Sequence, residues 1–294
     1  MSPPATGLAA IELVARQLEL AGVALGQGTL NHHDEAAWLV LWALGLPVDS
    51  DDQALSPPLS DAQWQRICGT VQRRINTREP MAYLTGEAWL QGVPFVVDPR
   101  VIIPRSLIAE VLAEGVFDPL IPADQARVLD LCTGNGSLAV LCAMAWPQAR
   151  IDAADLSADA LAVAQLNVER HGLTGQIRLL CGDGLSVADG PYDLIVCNPP
   201  YVNAESMSTL PPEFRHEPEL ALAGGSDGMD FVRPLLAHAA QHLTPHGALA
   251  LEIGHEISHF LHAFPQLGGL WLPTSAGDEQ VVLLTRADLT GAQS

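Results

Sequence analysis

Lysine is absent from this chain of 294 residues: its 14 basic residues are all arginine, against 34 aspartates and glutamates, for a formal charge of −20. Either cation supplies surface charge, so the missing lysine alone carries no functional information. The shortage of positive charge does. A nucleic acid backbone would be repelled unless the few arginines were gathered on one face, whereas a basic protein would be attracted. Cysteine is scarce as well. The five cysteines, Cys68, Cys132, Cys142, Cys181 and Cys197, are odd in number, sit in apolar segments and form no C-x-x-C pair. That argues against a disulfide framework or a thiolate metal site and predicts reduced core residues. No run approaches the roughly 20 consecutive apolar residues of a membrane-spanning helix. The opening residues, Met1 to Gly7, have neither a basic stretch nor an apolar signal core. These absences predict a cytoplasmic protein with no membrane partner.

What is present is a hydrophobic content of 48%, enough for a large core or for a small domain joined to a larger one. The first 80 residues read as amphipathic helices, Gly7 to Leu25, Asp34 to Leu44 and Asp61 to Asn76. Ser60 and Gln63 form a capping box at the start of the third. No cluster of catalytic residue types occurs there, so residues 1–82 are expected to be a helical docking or stability domain. Short apolar runs broken by Gly86, Gly92 and Pro94 predict a strand pair bridging two domains over residues 83–103.

Beyond it, residues 104–294 alternate strand and helix signals. Strands are predicted at Arg127 to Cys132, Arg150 to Ala154, Ile177 to Cys181, Tyr192 to Cys197, Ala248 to Ile253 and Val281 to Thr285, with helices at Gly136 to Ala145 and Ala158 to His171. Continuously apolar strands alternating with helices mean a sheet covered on both faces, hence a largely parallel, doubly wound α/β domain. Such sheets bind ligands at the carboxyl ends of their strands.

Three of those ends carry residues suited to a nucleoside. Asp130-Leu131-Cys132-Thr133-Gly134-Asn135-Gly136 turns a buried strand into a helix, and its glycines let the backbone approach a ligand. Alone, such a turn is weak evidence. The third glycine of a dinucleotide fingerprint is missing, with Ala139 in its place. Asp155, ending the next strand, can accept hydrogen bonds from a ribose diol, and Asp183, after the third, can meet an adenine amine. Each acid by itself also fits an ordinary turn or cap.

The most informative motif is Asn198-Pro199-Pro200-Tyr201, directly after Leu194-Ile195-Val196-Cys197. Two prolines stiffen the loop and remove two donors, leaving carbonyl oxygens at the ligand-binding edge. The Asn198 side-chain oxygen and the Pro199 carbonyl together suit the two hydrogens of a planar N-H₂ group, with Tyr201 expected to pack on its face.

These residues, with Arg78-Glu79-Pro80-Met81-Ala82-Tyr83-Leu84, Gly92-Val93-Pro94-Phe95-Val96-Val97-Asp98, Ile103-Pro104-Arg105 and His216-Glu217-Pro218-Glu219-Leu220-Ala221-Leu222, resemble the protein-glutamine N5-methyltransferases. The resemblance spans about Arg78 to Arg286. It implies a class I, Rossmann-like fold and S-adenosylmethionine as methyl donor. It further implies cofactor contacts from Asp130, Cys132, Thr133, Gly134, Asn135, Gly136, Asp155, Asp183 and Asn198, and catalysis at Asn198 to Tyr201. Asn135 departs from the family's usual Ser or Thr and is expected to alter a contact at the cofactor's methionine end.

Two branches of the family differ in substrate, one modifying peptide chain release factors and the other a large-subunit ribosomal protein. Ser106-Leu107-Ile108-Ala109-Glu110 after Arg105, and Tyr83-Leu84-Thr85-Gly86-Glu87-Ala88-Trp89, resemble the ribosomal-protein branch. A DNA adenine methyltransferase would share the Asn-Pro-Pro-Tyr loop, but the acidic charge and the lack of a basic recognition domain argue against DNA. A non-catalytic, cofactor-binding ribosome-assembly factor is disfavoured by the intact loop. His255-Glu256-Ile257-Ser258-His259 matches the H-E-x-x-H zinc signature, which needs both histidines one turn apart on a helix. It follows Gly254 at a predicted strand end, and no third ligand is evident, so no metal is expected.

Overall fold

Thr6, Asn31 and Ser60 start the first three helices alike. Each holds an extended backbone and accepts, through its side-chain oxygen, a hydrogen bond from the N–H three residues on. The helices are α1 (Gly7–Leu20), α2 (His32–Leu44) and α3 (Asp61–Thr77), followed by a short α4 (Met81–Thr85). α1 stops short of the expected Leu25 because Ala21 caps it and Gly22 takes a left-handed backbone, φ 60°. Ile11, Val14 and Leu18 of α1, Leu39 and Val40 of α2, and Trp64, Ile67 and Val71 of α3 form one apolar core.

In this computed structural model, which describes residues 4–291, that core belongs to one of two compact units. The first is the chain up to Ala88 together with a returning segment, Leu210–His216; the second is Trp89–Thr209 and the chain from Glu217 onward. The return of residues 210–216 to the helical unit departs from the sequence reading, which assigns them to the α/β domain. Its cause is a buried ion cluster. Arg74, only 1% exposed, bonds Glu35 at 2.8 Å and lies 3.5 Å from Glu213, which also accepts from the Ala24 N–H. An arginine buried in an apolar helix bundle requires carboxylate partners.

β1 (Glu87–Leu90) and β2 (Val93–Val96) pair as a two-stranded sheet. Then come α5 (Ile108–Ala113), β3 (Arg127–Leu131), α6 (Ser137–Ala145), β4 (Arg150–Asp155), α7 (Ala158–Arg170), β5 (Ile177–Cys181), β6 (Tyr192–Cys197) and α8 (Ala204–Thr209). α9 (Val232–His238), β7 (Leu243–Glu252), α10 (Ile257–Ala263), β8 (Leu270–Thr274), β9 (Gly277–Thr285) and α11 (Arg286–Gly291) complete the chain. Seven strands form one sheet in the order β5-β4-β3-β6-β7-β9-β8. β3 to β7 are parallel, and β9 runs antiparallel between β7 and β8.

Successive side chains of a strand face opposite sides, and here both sides are apolar. Val128, Leu194 and Val196 pack beneath α5, α6 and α7, whereas Leu129, Ile195 and Cys197 pack against α9, α10 and α11. The doubly wound α/β class expected from the sequence is therefore present. β8 was not anticipated: Pro273 interrupts its apolar pattern, which reads as a loop. Cysteine burial also differs. Cys142 and Cys197 are core residues, but Cys181 is exposed and Cys68 and Cys132 are half-buried.

Candidate active site

Chain order reverses at β3, which has β4 on one side and β6 on the other, and this switch point is where open α/β sheets bind ligands. Leu131 is in register with Ala154 and with Cys197. The next residue of each strand, Cys132, Asp155 and Asn198, therefore emerges at one edge. Asp155 in turn pairs with Cys181, which brings Gly182 and Asp183 to the same edge.

The turn after β3 is held from below. Asp130 is 1% exposed and its Oδ2 accepts from Thr133 Oγ1 at 2.5 Å and from the Ala139 N–H at 2.9 Å. Gly134 and Gly136 take left-handed backbones, φ 56° and 80°, and a Cβ on Gly136 would lie 3.1 Å from the Ala164 Cβ of α7. Only glycine meets both conditions without strain. From the other side Asn167, fully buried on α7, donates to the Asn135 carbonyl at 2.9 Å and the Val96 carbonyl at 3.0 Å, and accepts from the Val96 N–H at 2.7 Å. No sequence pattern marks Asn167, since it reads as one more polar residue on an amphipathic helix.

Above the turn, a cavity of about 800 Å³, counting its open mouth, is lined by Cys132, Gly134, Asp155, Asp183, Asn198 and Pro200. Ile102, Leu156, Leu220 and Phe231 add apolar wall. Asp155 accepts from the Gly134 N–H at 2.9 Å and the Ser157 N–H at 2.8 Å, which leaves acceptor capacity on the carboxylate. Burial raises its pKa above the ordinary value, against those backbone hydrogen bonds. Burial also pushes the Asp130 carboxyl up to about 7, against the opposing hydrogen bond from Thr133.

Six of the expected site residues thus share one cavity, and six do not line it. Asp130, Thr133, Asn135 and Gly136 shape the turn from inside. The Asn135 amide, 2% exposed, lies 3.5 Å from the Val96 carbonyl, and its oxygen accepts from the Ser137 N–H at 3.3 Å. The Asn135 side chain is thus engaged by its own turn and by Val96. Pro199 is buried. Tyr201 does not line the cavity; its ring lies on Gly254 and its hydroxyl donates to Glu252 Oε1 at 3.3 Å. Burial, and next the Glu252 carboxylate, raise the tyrosine pKa.

Glu252 and the Arg105–Glu217 pair were not expected from sequence. Glu252, at the end of β7, is 2% exposed and accepts from Ser106 Oγ at 2.6 Å and the Leu107 N–H at 2.9 Å. Burial raises its pKa above the usual carboxylate range. Arg105 grips Glu217 with two bonds, 2.9 and 2.8 Å, joining Ile103-Pro104-Arg105 to the segment after His216. The zinc-like motif is dismantled: α10 begins at Ile257, so His255 precedes the helix, and the Glu256 carboxylate is engaged by Asn203 and His259.

The donor set fits S-adenosylmethionine. Gly134 leaves the backbone of the turn bare, Asp155 has acceptor sites left for hydroxyls, and apolar walls suit a flat base.

The description Methyltransferase small domain fits residues 109–214. The chain is 50% identical over 284 residues to the ribosomal protein uL3 glutamine methyltransferase of Bordetella pertussis, covering 95% of this chain and 94% of that one. It is 48% identical over 275 residues to the protein of the same name from Neisseria meningitidis, covering 93% and 90%. Among solved structures, the hMettl16 catalytic domain in complex with MAT2A 3'UTR hairpin 6 matches with a TM-score of 0.50 and 14% identity, over 77% of this chain and 81% of that one. At that identity the likeness concerns the fold alone.

Proposed function

This chain belongs to the ribosomal protein uL3 glutamine methyltransferase family, and from that membership we propose that it methylates the side-chain amide nitrogen of a glutamine in that large-subunit protein. The observation that carries the reading is Asn198. It lines the same cavity as Gly134, Asp155 and Asp183, and among the described residues no hydrogen bond engages its carboxamide. A polar side chain without a partner at a ligand-binding edge is an acceptor held ready for a substrate donor.

When bound, S-adenosylmethionine supplies an electrophilic methyl carbon on a sulfonium, whose transfer leaves a neutral thioether. Gly134, Asp155 and Asp183 are the residues that would hold it. The protein's task is the nucleophile. Amide nitrogen is weakly nucleophilic because resonance withdraws its lone pair. The Asn198 side-chain oxygen, with the Pro199 carbonyl, accepts from the two N–H bonds of the glutamine amide. That fixes the plane of the amide and stabilises the positive charge that grows on nitrogen. The nitrogen gains a methyl and then releases one proton to solvent, so no strong general base is required.

A chain with 34 acidic residues against 14 basic ones suits a basic ribosomal protein as substrate, captured in the cytoplasm before assembly. The test is transfer of tritiated methyl from S-adenosylmethionine to purified uL3, with a peptide chain release factor in parallel. The expected result is one methyl per uL3 on a glutamine amide and none on the release factor. Labelling of the release factor alone would move the enzyme to the other branch.

A further inference from the structure

The segment leading into the zinc-like motif packs against the loop that carries Asn198. Leu251-Glu252-Ile253-Gly254-His255-Glu256 leaves the end of β7 beside Asn198-Pro199-Pro200-Tyr201-Val202-Asn203. Three of its residues meet that loop at alternate positions. Glu252 Oε1 accepts from the Tyr201 hydroxyl at 3.3 Å. Gly254, at φ 53°, lies under the Tyr201 ring so closely that an added Cβ would be 2.7 Å from Cζ. Glu256, 6% exposed, accepts from Asn203 Nδ2 at 2.7 Å and from the Asn203 N–H at 3.4 Å.

We propose that Glu252 and Glu256 are positioning residues of the methyl transfer, clamping Tyr201 and Asn203 so that Asn198 between strand and clamp keeps one orientation toward the substrate amide. This rests on the assignment of Asn198 above. Buried carboxylates are costly unless fully bonded, and both acids are spent on this loop and its neighbours. Glu252 also takes Ser106 Oγ and the Leu107 N–H through Oε2, which ties the loop to the chain entering α5. Glu256 takes the ring of His259 as well. Neither acid lines the cavity, and each acts on Asn198 only through the loop.

The clamp makes a pattern that general destabilisation would not. Glu252→Ala should lower kcat about 100-fold, as expected of a misplacement near 1 Å, and leave the dissociation constant for S-adenosylmethionine unchanged. Glu252→Gln keeps a hydrogen bond to Tyr201, now donated by the amide, and should restore at least tenfold of that loss. Tyr201→Phe removes only the hydroxyl and preserves packing. It should lower kcat about tenfold, and its effect should vanish in the Glu252→Ala background because the same link is already cut.

Amide hydrogen exchange supplies a readout that does not need turnover. Glu252→Ala and Tyr201→Phe should accelerate exchange over residues 198–203 while the turn at residues 130–136 stays protected. Unchanged exchange in the loop of either variant, or full kcat in both against an active wild-type enzyme, would overturn the clamp. An inactive wild-type enzyme with loop exchange that responds to Glu252 would instead count against the methylation assignment and leave the clamp standing.

Discussion

Replacing Asp130 with asparagine probes the floor of the site through its pH dependence. Asp130 is 1% exposed, its Oδ2 carries the bonds to Thr133 and Ala139, and its Oδ1 has no partner among the described residues. Burial lifts the carboxyl from its ordinary 3.8 to about 7. The folded state therefore holds this proton more tightly than the unfolded chain. The stabilising contribution is complete below the unfolded value and is lost as pH rises through the folded one. A tenfold difference in proton affinity is worth about 1.4 kcal/mol, so raising pH from about 5 to about 8 removes about 3 kcal/mol. Asparagine keeps the shape and one acceptor oxygen and does not titrate. Urea unfolding of both proteins across that pH range should show the variant gaining about 3 kcal/mol relative to wild type. Parallel stability curves would refute the reasoning, because they would mean that Asp130 is ionised throughout.

Asp155→Ala removes a cavity-lining acceptor that the turn also uses, and should weaken S-adenosylmethionine binding about 100-fold, the worth of two charge-assisted hydrogen bonds. Calorimetric titration checks this against circular dichroism, which should stay unchanged. In the helical unit, Glu213→Gln deprives the buried Arg74 and the half-buried Arg78 of a shared carboxylate. It should cost about 3 kcal/mol of unfolding free energy, the loss expected when one member of a buried ion pair is removed. Denaturant titration measures it, and a change under about 1 kcal/mol would show that Glu35 alone satisfies the cluster.

Local chemistry made much of this molecule readable in advance. The capping box at Ser60, the glycine turn at residues 134–136 and the apolar strands leading to Asp155 and Asn198 are signals written in a few adjacent residues, and each is found in the structure. What escaped notice depends on partners distant in the chain. Glu252 bonds Ser106 across 146 positions and Tyr201 across 51, and Asn167 reaches Val96 across 71. A carboxylate at the end of an apolar strand reads as the start of a loop unless its partners are known. The partners of Tyr201 were hidden for the same reason: Gly254, against which its ring lies, and Glu252, which accepts from its hydroxyl, stand more than 50 positions away. Glu213 was hidden because nothing near it signals that the chain returns to Arg74.

The whole mechanism turns on Asn198 presenting its oxygen to a substrate amide beside the bound methyl donor. Single-turnover methyl transfer to purified uL3, by wild type and by Asn198→Ala with each saturated in S-adenosylmethionine, isolates that step from binding and product release. The rate should fall by about 100-fold or more, the cost of losing one preorganised partner, while the affinity for S-adenosylmethionine is retained. An Asn198→Ala enzyme that transfers methyl at the wild-type rate would show that this oxygen has no part in the reaction.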